Sequence, residues 1–325
     1  MTDAAPLVTV VCLSHNHARF VAETLRSVAA QTYPHVELIV VDDGSRDGSP
    51  AVIEAALRTM PYAHFLRWPE PVGNCRAFNR ALAGARGKYV IDLAADDLLL
   101  PDRVAQQVAL FETLDDDWAV VYSDAYFVDV RSRVVGAHTP RPAPTGDVYR
   151  ALLGSFFLLS PTVIYRRALL EQLGGYDETL AYEDFDVLMR LARDYRFAHL
   201  PAVTTLKRRV PGSLSTRFYA RRRNALQRST LRVCRKVHKM NRTPDEHAAL
   251  ARTVRYHLRQ AFWTENHALV PEYAELLRHL DALDAFSARL LQAARLKPPV
   301  GRAYDWYRAL RAHRRDLIWR LGAGG

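Results

Sequence analysis

Residues 36–50 read VELIVVDDGSRDGSP. The branched aliphatic run ends in two adjacent carboxylates, Asp42 and Asp43, and passes through Gly44 into a Ser49-Pro50 pair. A continuous apolar run with no polar alternation is the pattern of a strand buried on both faces of a parallel sheet. Ser-Pro is a helix start, with proline preset for the first turn. On its own the acid pair marks a strand end and an Asp-Gly turn. Two like charges at the mouth of a buried strand also repel each other and lose solvation, which a bound ligand or cation offsets.

Working outward, Leu7 to Leu13 (LVTVVCL) reads as another buried strand, and Val21, Leu25 and Val28 recur at helical spacing before a break at Tyr33-Pro34. After the acid pair, Ala51, Ile53, Ala55 and Leu57 continue the Ser49-Pro50 helix. A short strand around Phe65, a helix from Asn74 to Ala85 and a strand from Tyr89 to Leu93 complete three βα units. This alternation predicts an α/β fold, a doubly wound, mostly parallel sheet with its ligand crevice at the carboxyl ends of the strands. The first strand runs into LSHNHARF, with no G-x-G-x-x-G, and no G-x-x-x-x-G-K-[ST] occurs anywhere, so the dinucleotide and P-loop modes of holding phosphates are disfavoured.

A chain without a phosphate-binding glycine loop can hold a diphosphate through a divalent cation, and then needs carboxylates nearby. YVIDLAADDLLLPDRV supplies Asp96 and Asp97 just past the Tyr89–Leu93 strand. A third acid group, Glu183, Asp184 and Asp186, crowds the start of a helix whose buried face is marked by Val187, Leu188 and Leu191. Its plain alternative is complementation of the helix dipole.

With 325 residues and 49% apolar content, the chain can bury a large core. Cys12, Cys75 and Cys234 are too far apart to suggest zinc or a disulfide framework and read as buried free thiols. The N-terminus has no basic stretch before its apolar segment and no run of 18 apolar residues occurs, so the expected place is the cytoplasm. Charge is divided sharply: residues 1–206 carry 19 basic and 26 acidic side chains, while residues 207–325 carry 26 and 9. Ten basic residues and no acidic one lie between Arg217 and Arg242. Leu226, Thr230, Val233 and Val237 are at helical spacing there, and EYAELLRHLDALDAFSARLLQAARL is amphipathic. After Pro298 and Pro299, Trp306, Tyr307, Leu310, Leu317 and Trp319 interleave with arginines. The predicted organisation is therefore a sheet domain over 1–215 and a basic helical region over 216–325. That region is either a helical annex packed on the sheet domain or a peripheral surface for an anionic membrane. Nucleic acid is not expected as a partner, because the acidic clusters repel phosphates and the basic stretch is poor in stacking aromatics. A nucleotidyltransferase making nucleotide-sugars would need a glycine- and basic-rich loop where LSHNHARF stands.

Four blocks, in order, resemble the family 2 glycosyltransferases: VTVVCLSHNHARFVAETLRSVAAQTYPHVELIVVDDGSRDGS, VGNCRAFNRALAGARGKYVIDLAADDLLLP, LGGYDETLAYEDFDVLMRLARDYRF and VPGSLS. The resemblance spans about residues 6–216 and implies the GT-A fold, a Rossmann-like sheet, followed here by the helical region. It also implies inverting transfer from a UDP- or dTDP-sugar to a saccharide or lipid-linked acceptor, with Mg²⁺ or Mn²⁺, in cell-surface polysaccharide or glycolipid synthesis. By residue, it implies Asp43, or Asp42 and Asp43 together, on the pyrimidine, with Ser14, His15 and Asn16 beside base and ribose. Asp96 and Asp97 match the metal and ribose carboxylates, Asp97 being the first choice as metal ligand. Asp184 matches the general base, and Arg76 and Asn79 lie in the block lining the donor side. Three positions depart from the family pattern: Ala94 stands where an acid is common, His15 where an aromatic usually precedes the asparagine, and Val210 where a histidine often precedes PGSLS.

Overall fold

The computed structural model describes residues 5–139, 143–155, 157–213, 217–222 and 224–310. They fall into two compact units, one of residues 1–148 with 157–209 and one of residues 149–156 with 210–325.

The first unit contains β1 (Val8–Ser14), α1 (Val21–Ala29), β2 (Val36–Asp43), α2 (Ser49–Leu57), β3 (Ala63–Trp68), α3 (Asn74–Leu82) and β4 (Tyr89–Ala94). It continues with β5 (Leu98–Leu99), α4 (Arg103–Phe111), β6 (Trp118–Val128), β7 (Val134–His138), a 3-10 turn (Ser160–Thr162), β8 (Ile164–Arg166), α6 (Arg167–Gln172), α7 (Asp184–Ala192) and β9 (Arg196–Arg208). The sheet order is β3-β2-β1-β4-β8-β6-β9-β5, with β7 paired to β6. The predicted parallel arrangement holds for β3, β2, β1 and β4. Beyond β4 the sheet is mixed, because β8 runs antiparallel to both β4 and β6 while β6 and β9 are parallel. Parallel neighbours need a crossover, and β8, three residues long, instead passes from a turn straight into α6.

Strand order reverses between β1 and β4, so a crevice opens where the β1, β2 and β4 chains leave the sheet. Val8, Val10, Cys12, Leu38, Val40, Ile91 and Leu93 pack with Val21, Leu25 and Val28 of α1 and Val104, Val108 and Phe111 of α4. Arg103 is fully buried at the start of α4. Its guanidinium donates to the Pro161 carbonyl, to Thr205 Oγ1 at 3.0 Å and to the Val163 carbonyl at 3.1 Å. Gln107, one turn on, donates to the Thr162 carbonyl at 2.7 Å. The 160–162 turn is thus held by side chains of α4.

The second unit is helical: α5 (Tyr149–Gly154), α8 (Ala225–Met240), α9 (Pro244–Trp263), α10 (Leu269–His279), α11 (Ala285–Ala294) and a helix over 301–310. α5 joins it from within the first 215 residues through Tyr149 Oη, which donates to Asn241 Oδ1 at 2.8 Å. Asn224 caps α8, and Thr243 with Glu246 forms a capping box ahead of Pro244. Leu226, Thr230, Val233 and Val237, expected on one face, are all buried. The three cysteines are buried and free. Among the described residues no helix is long and apolar enough to cross a membrane. The expected boundary at 215/216, and Leu317 and Trp319, lie outside the described residues.

Burial pushes the Arg103 guanidinium down to about 9, and its hydrogen bonds satisfy carbonyls that no water replaces. Arg103→Met fills much of the volume but orphans those acceptors. It should destabilise the protein by about 2–3 kcal/mol, read as a lowered midpoint in urea with an unchanged slope.

Candidate functional site

Ser14 is the register partner of Asp42, and Leu13 of Ala94, so the sequence-predicted acids emerge from β2 and β4, the two strands that flank β1. Two loops close over them. Asn16, at φ 59°, takes the left-handed conformation that asparagine tolerates. Its N–H donates to Ser45 Oγ at 2.9 Å, and its Oδ1 accepts from the Arg46 N–H at 2.8 Å. Gly44, at φ 62°, is required, since a Cβ there would lie 2.4 Å from the Pro71 nitrogen.

Strand alternation sends Asp42 and Asp43 to opposite faces. Asp43 accepts the Val72 and Gly73 N–H groups at 2.6 and 3.0 Å, which fixes its carboxylate while leaving a lone pair on each oxygen. Asp42 accepts the Ser45 N–H through Oδ2 at 3.1 Å. Asp42 Oδ1 and Ser14 Oγ are buried without a hydrogen-bond partner, an uncommon state that a ligand or water commonly relieves. His15 is exposed, yet its Nδ1 donates to the Asp43 carbonyl at 2.6 Å and its Nε2 accepts from the Asn16 amide at 3.0 Å. The ring is pinned at both nitrogens.

Asp96 and Asp97 follow β4. Asp97 is buried and its Oδ1 accepts the Arg208 N–H at 2.8 Å, whereas the Asp96 carboxylate has no hydrogen-bond partner among the described residues. Burial pushes Asp97 up to about 7, helped by the neighbouring charge of Asp96. Asp97 is thus anchored by a backbone donor, while Asp96 is not. Among the described residues no three His, Cys, Asp or Glu side chains group as a metal cluster. Two adjacent carboxylates still suit a cation that takes its remaining ligands from water and a diphosphate.

The third acid group divides. Asp186 is buried and pairs with Arg190 at 2.8 Å, a structural contact within α7. Asp184, at the first position of α7, accepts from Ser160 Oγ at 2.7 Å. Glu183 accepts from the Asn74 amide. Asp92 joins them: it shares the Ala94 face of β4, accepts from Tyr176 Oη at 2.9 Å and interacts electrostatically with Asp184 and Glu183. Burial, with the nearby Asp184 charge, pushes Asp92 up to about 7. Burial, then repulsion from Asp92 and Asp184, pushes Glu183 up to about 8.

Arg76 and Asn79, expected on the donor side, both meet the loop after Gly175. Arg76 pairs with Glu178 at 2.9 Å. The Asn79 amide donates to the Tyr176 carbonyl at 2.8 Å and accepts the Tyr176 N–H at 2.8 Å, tying down the loop after Gly175. Sequence reasoning missed Asp92, Ser160, Asn74, His17 and Arg208. Asp92 had a signal, an acid inside an apolar strand. His17 lies within electrostatic reach of Asp96 and Asp42, and burial pushes it down. Arg208 donates to the Asp96 carbonyl at 2.9 Å and to Glu23 at 2.8 Å, and lies over the Phe20 ring at 4.8 Å.

The family model for glycosyl transferase family 2 matches residues 9–174. An uncharacterised glycosyltransferase of Rickettsia prowazekii is 26% identical over 58% of this chain and 59% of its own length, so the chain spans less than two thirds of that relative. The putative teichuronic acid biosynthesis glycosyltransferase TuaG of Bacillus subtilis is 35% identical over 33% of this chain and 43% of its own length. Among solved structures, residues 1–349 of S. aureus TarS in complex with UDP superpose with a TM-score of 0.69, at 20% identity, covering 92% of this chain and 91% of that one. A mannosyltransferase of Pyrobaculum calidifontis in complex with GDP-Man and Mn²⁺ gives 0.58, at 22% identity, over 97% and 88%. The fold is GT-A.

The raised carboxylates give a pH signature. The folded protein keeps protons on Asp92 and Glu183 that the unfolded chain releases near pH 4. Their contribution to stability is complete below that pH and is lost as pH rises toward about 7 and 8. In chelator-containing buffer the melting temperature should fall between about pH 5 and 8, and Asp92→Asn should flatten that fall. Superimposable profiles for the two proteins would contradict the assignment.

Proposed function

The chain belongs to glycosyl transferase family 2, and from that premise we propose that it moves a sugar from a UDP- or dTDP-sugar to an acceptor hydroxyl with inversion at the anomeric carbon. The process is assigned to cell-surface polysaccharide or glycolipid synthesis, in keeping with the names of TuaG and with the UDP and UDP-GlcNAc complexes of TarS. Residues 1–215 are proposed as the catalytic domain and 216–325 as the basic helical region.

The observation that carries this reading is the presence of two separately supported acid groups at one switch point. Asp96 offers a free carboxylate at the end of β4, while Glu183 and Asp184 meet Asp92 on their own set of donors. The first group suits a diphosphate leaving with a divalent cation, Mg²⁺ or Mn²⁺, held by Asp96 and Asp97, which would neutralise the developing charge. The second suits an attacking hydroxyl. Asp184, oriented by Ser160, takes the proton of the acceptor as it attacks. Asp43, with its oxygens fixed by two amides, accepts from the pyrimidine N–H, and the pinned His15 ring stacks beside the base.

The acceptor is proposed to be saccharide or lipid-linked, met at the cytoplasmic face of an anionic membrane through the helical region. The surplus of 26 basic over 9 acidic residues in 207–325 and the exposure of Trp306, Tyr307 and Leu310 support this.

UDP titrated by calorimetry should bind more tightly with Mn²⁺ or Mg²⁺ than with EDTA, and equal affinities would remove the metal role. Asp184→Asn keeps size and the Ser160 contact but accepts no proton. Sugar transfer should fall by about 10² to 10⁴, with UDP affinity and melting temperature close to wild type. Glu183→Gln should retain most of the transfer. If Gln at 183 is the inactive variant and Asn at 184 the active one, the base has been assigned to the wrong acid.

A further inference from the structure

Outside the acidic crevice, the helical unit carries two adjoining cavities of about 550 and 440 Å³, which share His267, Ala268 and Lys297. These volumes lie in the range of small-ligand sites. The floor is apolar, with Leu269, Pro271, Leu291 and Ala294. The rim is cationic. Arg278, Arg295 and Lys297 line it without a hydrogen-bond or ion-pair partner for their side chains among the described residues. The one acid in the lining, Glu265, is already neutralised by Arg222 at 2.8 Å and by the Gly301 N–H at 2.9 Å.

Two further features belong to the same place. The first residues of α8 and α10, Ala225 and Leu269, line the larger cavity, so the positive ends of two helices add to the cationic rim. Arg222, Glu265 and Lys297, with φ of 60°, 57° and 47°, are left-handed non-glycine residues, and all three line that cavity. Such backbone persists only where its surroundings hold it, and it concentrates at ligand clamps. Between Arg295 and Lys297 stands Leu296, 85% exposed.

We propose that this groove binds the headgroup of a phosphate-bearing membrane lipid, with the phosphate between Lys297, Arg278 and Arg295 and the first part of the chain along the apolar floor. An inorganic anion would use the rim alone. The apolar floor and the outward Leu296 are what commit the site to a lipid. The proposal gives the membrane reading above a specific site and rests on it, while UDP binding tests the catalytic reading independently.

The test uses the whole protein with phosphatidylcholine vesicles, with and without phosphatidate, and with soluble dioctanoyl phosphatidate. Wild type should co-sediment only when phosphatidate is present. Arg278→Glu with Lys297→Glu should weaken that binding about tenfold or more. Arg232→Glu with Lys239→Glu makes the same charge change on exposed positions of α8 and should cost clearly less. Ala268→Trp fills the groove at an exposed position without changing charge and should abolish binding of dioctanoyl phosphatidate, with UDP affinity and melting temperature unchanged. Equal losses for the two charge pairs, or wild-type binding by Ala268→Trp, would overturn the site. Inorganic phosphate binding as tightly as dioctanoyl phosphatidate would overturn its assignment to a lipid.

Discussion

Carboxylates gathered at the ends of β2 and β4 repel one another, and the crevice exists because the protein supplies donors that hold them there. Most of those donors come from the backbone: the Val72 and Gly73 N–H groups for Asp43, the Ser45 N–H for Asp42 and the Arg208 N–H for Asp97. Backbone donors bring orientation without a full countercharge, so the site remains negative after its geometry is fixed. Arg208 is the exception that keeps the arrangement in place. Its guanidinium reaches the Asp96 carbonyl and Glu23 but not the Asp96 carboxylate, and so secures the loop without quenching the acid.

The same logic runs through the other acid group at one remove. Arg103 holds the 160–162 turn by its carbonyls, the turn presents Ser160, and Ser160 orients Asp184. A fully buried cation 81 positions upstream of the proposed base thus sets the angle of that base. Asn79 acts similarly by fixing the 174–178 loop whose Tyr176 donates to Asp92.

How far the sequence could be read follows from which contacts are local. The buried strands that lead to Asp42 and Asp43 and to Asp96 and Asp97 follow from short apolar runs, and their parallel placement on either side of β1 follows from the alternation of βα units. The partners of those acids do not, since Asn74 meets Glu183 across 109 positions and Arg208 meets Asp97 across 111. Asp96 and Asp97 read alike in the sequence, and only the N–H of Arg208, at the end of β9, distinguishes their surroundings. The partners of Arg76 and Asn79 in the 174–178 loop are likewise distant in sequence. The antiparallel β8 was invisible because three residues carry no periodicity.

Ala94 and Asp92 are best understood together. Both lie on one face of β4, the alanine at the outer position and the acid two residues deeper. The acid at this strand thus sits with Glu183 and Asp184 rather than with Asp96. On the proposed mechanism a cation at Asp96 and Asp97 has one fewer protein ligand and depends more on the diphosphate it accompanies. On the other side of the crevice, burial with the Asp184 charge raises Asp92, and burial with repulsion from Asp92 and Asp184 raises Glu183. On that mechanism the cation takes its remaining ligands from water and the diphosphate, and the acceptor side keeps its own acids, Asp92, Glu183 and Asp184, on separate donors.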